Sequence, residues 1–205
     1  MKKILAFHVA TMLGIWLFAA GCAMPTSKSS NGSAACLITN LAIGSGLETT
    51  PYLRKLSQSI QKNPNDAGSL IKRGHVYSQL GQQQLAMADY KRALRLTPDD
   101  AYLHWSFGWS LFNAGESKEA LRHWQLWIDK QKNRPWAADH TLALGFWATG
   151  QKFNALYYYD EAVKNNPDKF ATKVKLLAYT EFWTRKERAA IEDVFDAWKR
   201  AYTVP

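Results

Sequence analysis

Small, apolar and turn-forming residues return along this chain at a fixed interval. Gly81, Ala86, Tyr90, Ala93 and Pro98 come back 34 positions on as Gly115, Ala120 and Trp124, and then as Gly150, Ala155, Tyr159, Ala162 and Pro167. Each block predicts two antiparallel helices. Small residues such as Gly74, Ala86 and Ala93 let the helices approach closely, and Tyr77 and Tyr90 fill the space around the contact. Gly81 supplies the turn between the helices, and Pro98 ends the second helix before Asp99 or Asp100 caps the next. Helix pairs of this kind bury their core by stacking on their neighbours, which leaves one concave face for a partner.

The blocks divide the chain at 67–100, 101–135 and 136–170. In the first, Leu70, Gly74, Tyr77, Gly81, Ala86, Tyr90, Ala93 and Pro98 give the sequence large, small, large, turn, small, aromatic, small, proline. The second keeps Gly108, Leu111, Gly115 and Ala120, places Trp124 at the aromatic position and Trp127 where alanine is usual, and is longer by a residue in the connection from Lys130 to Pro135. The third restores the pattern with Ala143, Phe146, Gly150, Ala155, Tyr159, Ala162 and Pro167. These positions resemble the tetratricopeptide repeat. The resemblance implies an all-α superhelix, an α-solenoid of helix-turn-helix units with three firm repeats. Degenerate repeats or caps are expected on either side, at 34–66 (Tyr52, Leu56, Ile60, Pro64) and at 171–205 (Ala178, Ala190, Val194, Ala197).

In that family, partners bind on the concave face, built mainly from the second, fifth, ninth and twelfth positions of each first helix, which share one stripe. Here the stripe reads Gly68, Ile71, His75 and Ser78, then Tyr102, Trp105, Trp109 and Phe112, then Ala137, His140, Leu144 and Trp147, with Lys175, Tyr179, Phe182 and Trp183 from the last copy. The candidate groove is Tyr102, Trp105, Trp109, Phe112, His140, Leu144, Trp147, Tyr179, Phe182 and Trp183. Burying one large apolar side chain is worth about 1.5–3 kcal/mol, so such a stripe offers an apolar or aromatic peptide or helix strong anchors. Two other readings stand beside it: the aromatics close the solenoid on itself or receive the segment Leu37 to Leu47, or Trp105 and Trp109 stack on a glycan.

The amino terminus speaks to location. Lys2 and Lys3 precede an apolar run from Ile4 to Phe18 that ends in Ala19-Ala20-Gly21-Cys22. This is the shape of a signal peptide over 1–21, and the small residues before the cysteine resemble a bacterial lipobox. The resemblance implies that Cys22 carries lipid. Each buried methylene adds about 0.8 kcal/mol, so several acyl chains anchor durably. Ala23, where aspartate would signal inner-membrane retention, implies the outer membrane facing the periplasm. Residues 22–33, polar and without period, read as a flexible tether. With Cys22 consumed, Cys36 has no partner for a disulfide.

Of the 205 residues, 26 are Lys or Arg and 17 Asp or Glu, a net charge of +9. Cleavage removes two lysines, leaving 24 basic residues against 17 acidic, or +7. The basic residues are dispersed over helix faces and the chain carries an export signal, so nucleic acid is not the expected partner.

Candidate chemistry is sparse. His75, His104, His123 and His140 lack ligand spacing, and no HExxH, paired-cysteine, phosphate-loop or nucleophile motif occurs. Asp139 beside His140 is the one suggestive pair, and it reads as a helix-start acid next to a groove-lining histidine. Repeats that clamp a C-terminal carboxylate carry Lys and Asn where this chain has Ile71, His75, Trp105 and Trp109. No catalytic residue, metal or cofactor is expected. The sequence points to a periplasmic lipoprotein scaffold or assembly factor of pilus, secretion or envelope machinery. The alternatives are an immunity lipoprotein that neutralises a periplasmic toxin, and a glycan- or peptidoglycan-binding module.

Overall fold

The computed structural model describes residues 50–202. The expected signal peptide, Cys22, the tether and residues 34–49 lie outside the described residues. Among those described there are ten helices and no strand. α1 (Pro51–Lys62) precedes three helix pairs: α2 (Ala67–Gln79) with α3 (Gln83–Leu96), α4 (Ala101–Ala114) with α5 (Ser117–Asp129), and α6 (Ala138–Ala148) with α7 (Lys152–Asn165). The single turn α8 (Pro167–Phe170), the short α9 (Lys173–Tyr179) and the long α10 (Arg185–Tyr202) follow. Packing is densest within each pair and then runs to the next pair. That nearest-neighbour pattern is a solenoid's, and the fold is the all-α superhelix expected from the repeat.

Local chemistry sets the helix ends. Thr50, Asp66 and Asp100 cap α1, α2 and α4, their side-chain oxygens accepting the N–H groups of Leu53, Ser69 and Leu103 at 3.2, 3.0 and 2.9 Å. Of the two candidate aspartates after Pro98, Asp100 is therefore the cap. Gly81, Gly115 and Gly150 sit at φ of 73°, 92° and 80°, the left-handed region that closes each first helix and favours glycine.

Between paired helices the small positions admit large rings. A Cβ on Gly108 would collide with the Trp124 indole, which is fully buried and donates its Nε1–H to the carbonyl of Trp105 at 3.3 Å. Tyr90, also fully buried, stacks on Phe107 with centroids 4.9 Å apart and shares a 2.7 Å hydrogen bond with Ser106. Arg73 of α2 grips Asp89 of α3 through two hydrogen bonds of 2.7 and 2.8 Å, a bidentate tie.

Two departures from regular stacking shape the inner face. The connection from α5 to α6 spans residues 130–137, whereas the equivalent one from α3 to α4 spans only 97–100. Trp136 and Ala137 therefore lie in a loop ahead of α6. At the other end, α9 is short and α10 is long, and α10 packs against both α6 and α7. Ile191, Val194, Phe195 and Trp198 enter the main core, and Trp198 Nε1–H donates to Asp160 at 3.0 Å. The start of α10 reaches the end of α4: Asn113 Nδ2–H donates to Glu187 at 2.7 Å, and Thr184 Oγ1–H donates to Asn113 Oδ1 at 3.1 Å.

Candidate functional site: an aromatic cavity on the inner face

The first helices α2, α4 and α6 and the turn between α9 and α10 enclose a cavity of about 330 Å³. Its walls come from His75 and Gln79 of α2, Trp105 and Trp109 of α4, Trp136, Ala137 and His140 around the start of α6, and Tyr179, Phe182, Trp183 and Glu187. Side chains from α4 and α6 point here because their spacing places them on one stripe facing the concave side.

A ring cluster forms the floor. Trp183 meets Trp109 edge-on at 5.2 Å, and packs against Tyr179 at 5.6 Å and His140 at 5.8 Å. Trp136 lies 5.7 Å from His140 and 6.1 Å from Tyr179. These are ordinary distances for attractive aromatic pairs. Trp109 and His140 are buried, Trp105, Tyr179 and Trp183 are half-buried, and the mouth is rimmed by Trp136 at 55% exposure and Phe182 at 89%.

The floor is electrically quiet. Burial drives the His140 pKa down to about 3, helped by the nearby charge of Lys169, so the ring is neutral at ordinary pH. Burial also lowers His75, against the opposing pull of Glu187. The Tyr179 phenol is pushed up to about 12 by burial, and its oxygen stands 3.5 Å from His140 Nε2. The indole N–H groups of Trp105 and Trp109 and the Nδ1 of His140 are buried without a hydrogen-bond partner among the described residues.

The structure sorts the candidate stripe into three groups. Trp105, Trp109, His140, Tyr179, Phe182 and Trp183 come together around the cavity. Phe112 and Leu144 do not: both are core residues, 2% and 0% exposed. Leu144 shares its core with Ile191 and Val194 of α10, and the Phe112 ring is packed by Trp109 and Trp124 and covered by the Lys186 ammonium at 5.5 Å. Tyr102 and Trp147 sit apart. Tyr102 is exposed beside Trp105, while the half-buried Trp147 ring carries the Lys152 ammonium 3.1 Å from its centroid. The aromatics thus close partly on the chain itself, and the closing element is the C-terminal turn.

Trp136, Gln79 and Glu187 belong to the lining although the stripe omits them. Trp136 precedes its helix, and only its place after Pro135 at the head of the third block could have singled it out. The Asp139–His140 pair splits: Asp139 binds Arg134 and Asn165, and His140 faces the aromatic floor.

Two histidines far apart in sequence do meet, away from the cavity. His104 Nδ1 and His123 Nδ1 are 2.8 Å apart, His104 Nε2 lies 2.9 Å from the Pro98 carbonyl, and Arg122 reaches His123 Nε2 at 3.1 Å. One proton assignment satisfies all three contacts with both rings neutral. His104 Nε2–H donates to Pro98, His123 Nδ1–H donates to His104, and Arg122 donates to His123. Burial lowers both pKa values, that of His123 to about 4 with Arg122 adding to the effect. Among the described residues, no group of three or more His, Cys, Asp and Glu could hold a metal ion, and no helix is long and apolar enough to cross a membrane.

A family model described as tetratricopeptide repeat matches residues 36–190. No curated protein matches the chain. Among solved structures, the crystal structure of MamA is 20% identical, covering 74% of this chain and 88% of that one, with a TM-score of 0.52. The crystal structure of PilW, titled a widely conserved type IV pilus biogenesis factor, is 19% identical, covering 84% of this chain and 79% of that one, with a TM-score of 0.54. At these identities the likeness is one of fold.

Proposed function

We propose that this chain, which belongs to the tetratricopeptide-repeat family and is a protein–protein interaction scaffold, captures a partner peptide or helix by seating its side chains in the inner-face cavity. The observation that carries the reading is the mouth: Trp136 and Phe182 stand in solvent at the rim of an aromatic-walled pocket. Covering such rings is worth about 1.5–3 kcal/mol each, which a partner gains and an isolated scaffold forgoes. The walls are held by the repeat and by α10, so little ordering opposes binding.

The setting proposed is the periplasmic face of the outer membrane, with lipid on Cys22 holding the scaffold there. Its support is the sequence Ala19-Ala20-Gly21-Cys22 behind an apolar run, followed by Ala23. An assembly role in pilus, secretion or envelope machinery accords with that location, and a pilus biogenesis factor is among the solved proteins that share the fold. Lipidation is tested by radiolabelled palmitate: the wild type incorporates it and Cys22→Ser does not, and equal incorporation would refute the anchor.

Capture is tested by crosslinking and pull-down of the full chain from envelopes, against the variant Trp136→Ala/Phe182→Ala. Both positions are exposed, so the variant keeps its helicity. It should lose the partner that the wild type retains; an identical catch would refute the cavity as the docking site.

A further inference from the structure

We infer that the anchor seated in this cavity is the side chain of a partner's lysine or arginine, its aliphatic stem on the indoles and its cationic head towards Glu187. The inference rests on the reading that the cavity receives a protein partner, and it specifies that partner's chemistry.

Three observations converge. Among the described residues no Lys or Arg lines the cavity, and Glu187 is the one formally charged side chain that does. The rest of the lining suits a cation. The faces of Trp and Tyr rings attract ammonium and guanidinium groups, and the histidines of the wall, held towards the neutral form by burial, do not repel them. This protein's own surface shows the preference at the rim, where the Lys169 ammonium stands 5.4 Å from the Trp136 ring centroid.

The third observation is the state of Glu187 itself. It is buried, and its carboxylate accepts hydrogen bonds from two neutral donors, Asn113 Nδ2–H at 2.7 Å and the Thr184 N–H at 2.8 Å. Thr184 Oγ1 in turn accepts from the Glu187 N–H at 3.3 Å, so the pair forms a reciprocal cap at the start of α10. The cap explains the length of the side chain. Its charge lets both oxygens accept and suits the N-terminal turn of α10, yet no cation pairs with it among the described residues. A buried carboxylate with neutral partners gains from an added cation, and two accepted hydrogen bonds do not exhaust its lone pairs. Lysine and arginine also suit this lining, since their stems pack on apolar walls while the head seeks a polar group.

The test titrates the full chain, held in detergent, with two acetylated and amidated pentapeptides, one with lysine between two pairs of alanines and one with norleucine in its place. The indole N–H signals of Trp109, Trp136 and Trp183 report binding. The lysine peptide should shift them and bind roughly tenfold tighter than the norleucine peptide, the scale of a partly desolvated cation–π contact. In Glu187→Gln, which keeps an acceptor for the Thr184 N–H and lets the Asn113 amide turn to accept instead of donate, that ratio should fall to about one; in Trp136→Ala, on the exposed rim, the lysine peptide should weaken. Equal or tighter binding of norleucine by the wild type overturns the cationic anchor and leaves the cavity as an apolar peptide site. A tenfold ratio that survives Glu187→Gln overturns the role of that carboxylate. Silence towards both peptides overturns the peptide site itself, and a shift with chitotriose alone would assign the cavity to a glycan.

Discussion

The aromatic rings around α4 form one continuous core, joined where Trp109 meets Trp124 at 4.9 Å, and its two ends behave oppositely. At one end Trp124 lies between the paired helices α4 and α5 against Gly108, its indole bonded to the Trp105 carbonyl, and Tyr90 of α3 stacks on Phe107 of α4 and bonds Ser106. At the other, Trp105 and Trp109 face a cavity whose rim still meets water. Both ends are equally aromatic in sequence. What separates them is what the rest of the chain lays over them: a whole partner helix in the first case, and one turn carrying Trp183 in the second. Aromatic richness on a repeat helix marks burial; a site appears where the covering stops short.

The sharpest way to break that contrast is to attack the covered end. Trp124→Ala should cost about 3–5 kcal/mol, as large core truncations do, and urea denaturation would show it. Gly108→Ala should cost about 1–3 kcal/mol by overpacking against the Trp124 indole. If either changes stability by less than about 0.5 kcal/mol, that end is not covered as described.

Acid should act next. A histidine whose pKa is lowered on folding contributes stability that is present above the unfolded value and lost as pH falls towards the folded one. For His140 the window runs from the usual 6.5 down to about 3 and for His123 down to about 4, and His104 and His75 shift in the same direction. Thermal melts should therefore show Tm falling across this range, at about 2–4 °C per kcal/mol lost. His123→Asn, which keeps a donor near the position of Nδ1, should lessen the fall and leave the share of His140; an unchanged slope would show that the pair does not titrate with folding.

The smallest stability effect is expected at the rim. Trp136→Ala and Phe182→Ala should each stay within about 0.5 kcal/mol of the wild type, because both rings are largely in solvent. A larger loss would move them from the site into the core.

The fold was legible because its signals are local. Gly81, Gly115 and Gly150 repeat where each first helix must turn, and the small residues Gly74, Ala86 and Gly108 repeat where helices touch. The cavity was legible in part, for the stripe brings Trp105, Trp109 and His140 to one face by helical periodicity alone. It failed at Phe112 and Leu144 because their burial depends on α10, which folds back so that Glu187 meets Asn113, 74 residues away in sequence. Trp136 escaped because a period fixes residues inside helices, and this one sits in the longer connection ahead of α6.

Phe182 and Phe153 allow the most direct test of the central claim. They are the same residue type, 89% and 83% exposed, but Phe182 rims the cavity and Phe153 lies on α7, outside its lining. A photocrosslinking phenylalanine analogue placed at each position of the full chain in living cells reads which face meets a partner. Position 182 should yield a discrete protein adduct and position 153 none; adducts at both in equal measure, or at 153 alone, would contradict the account.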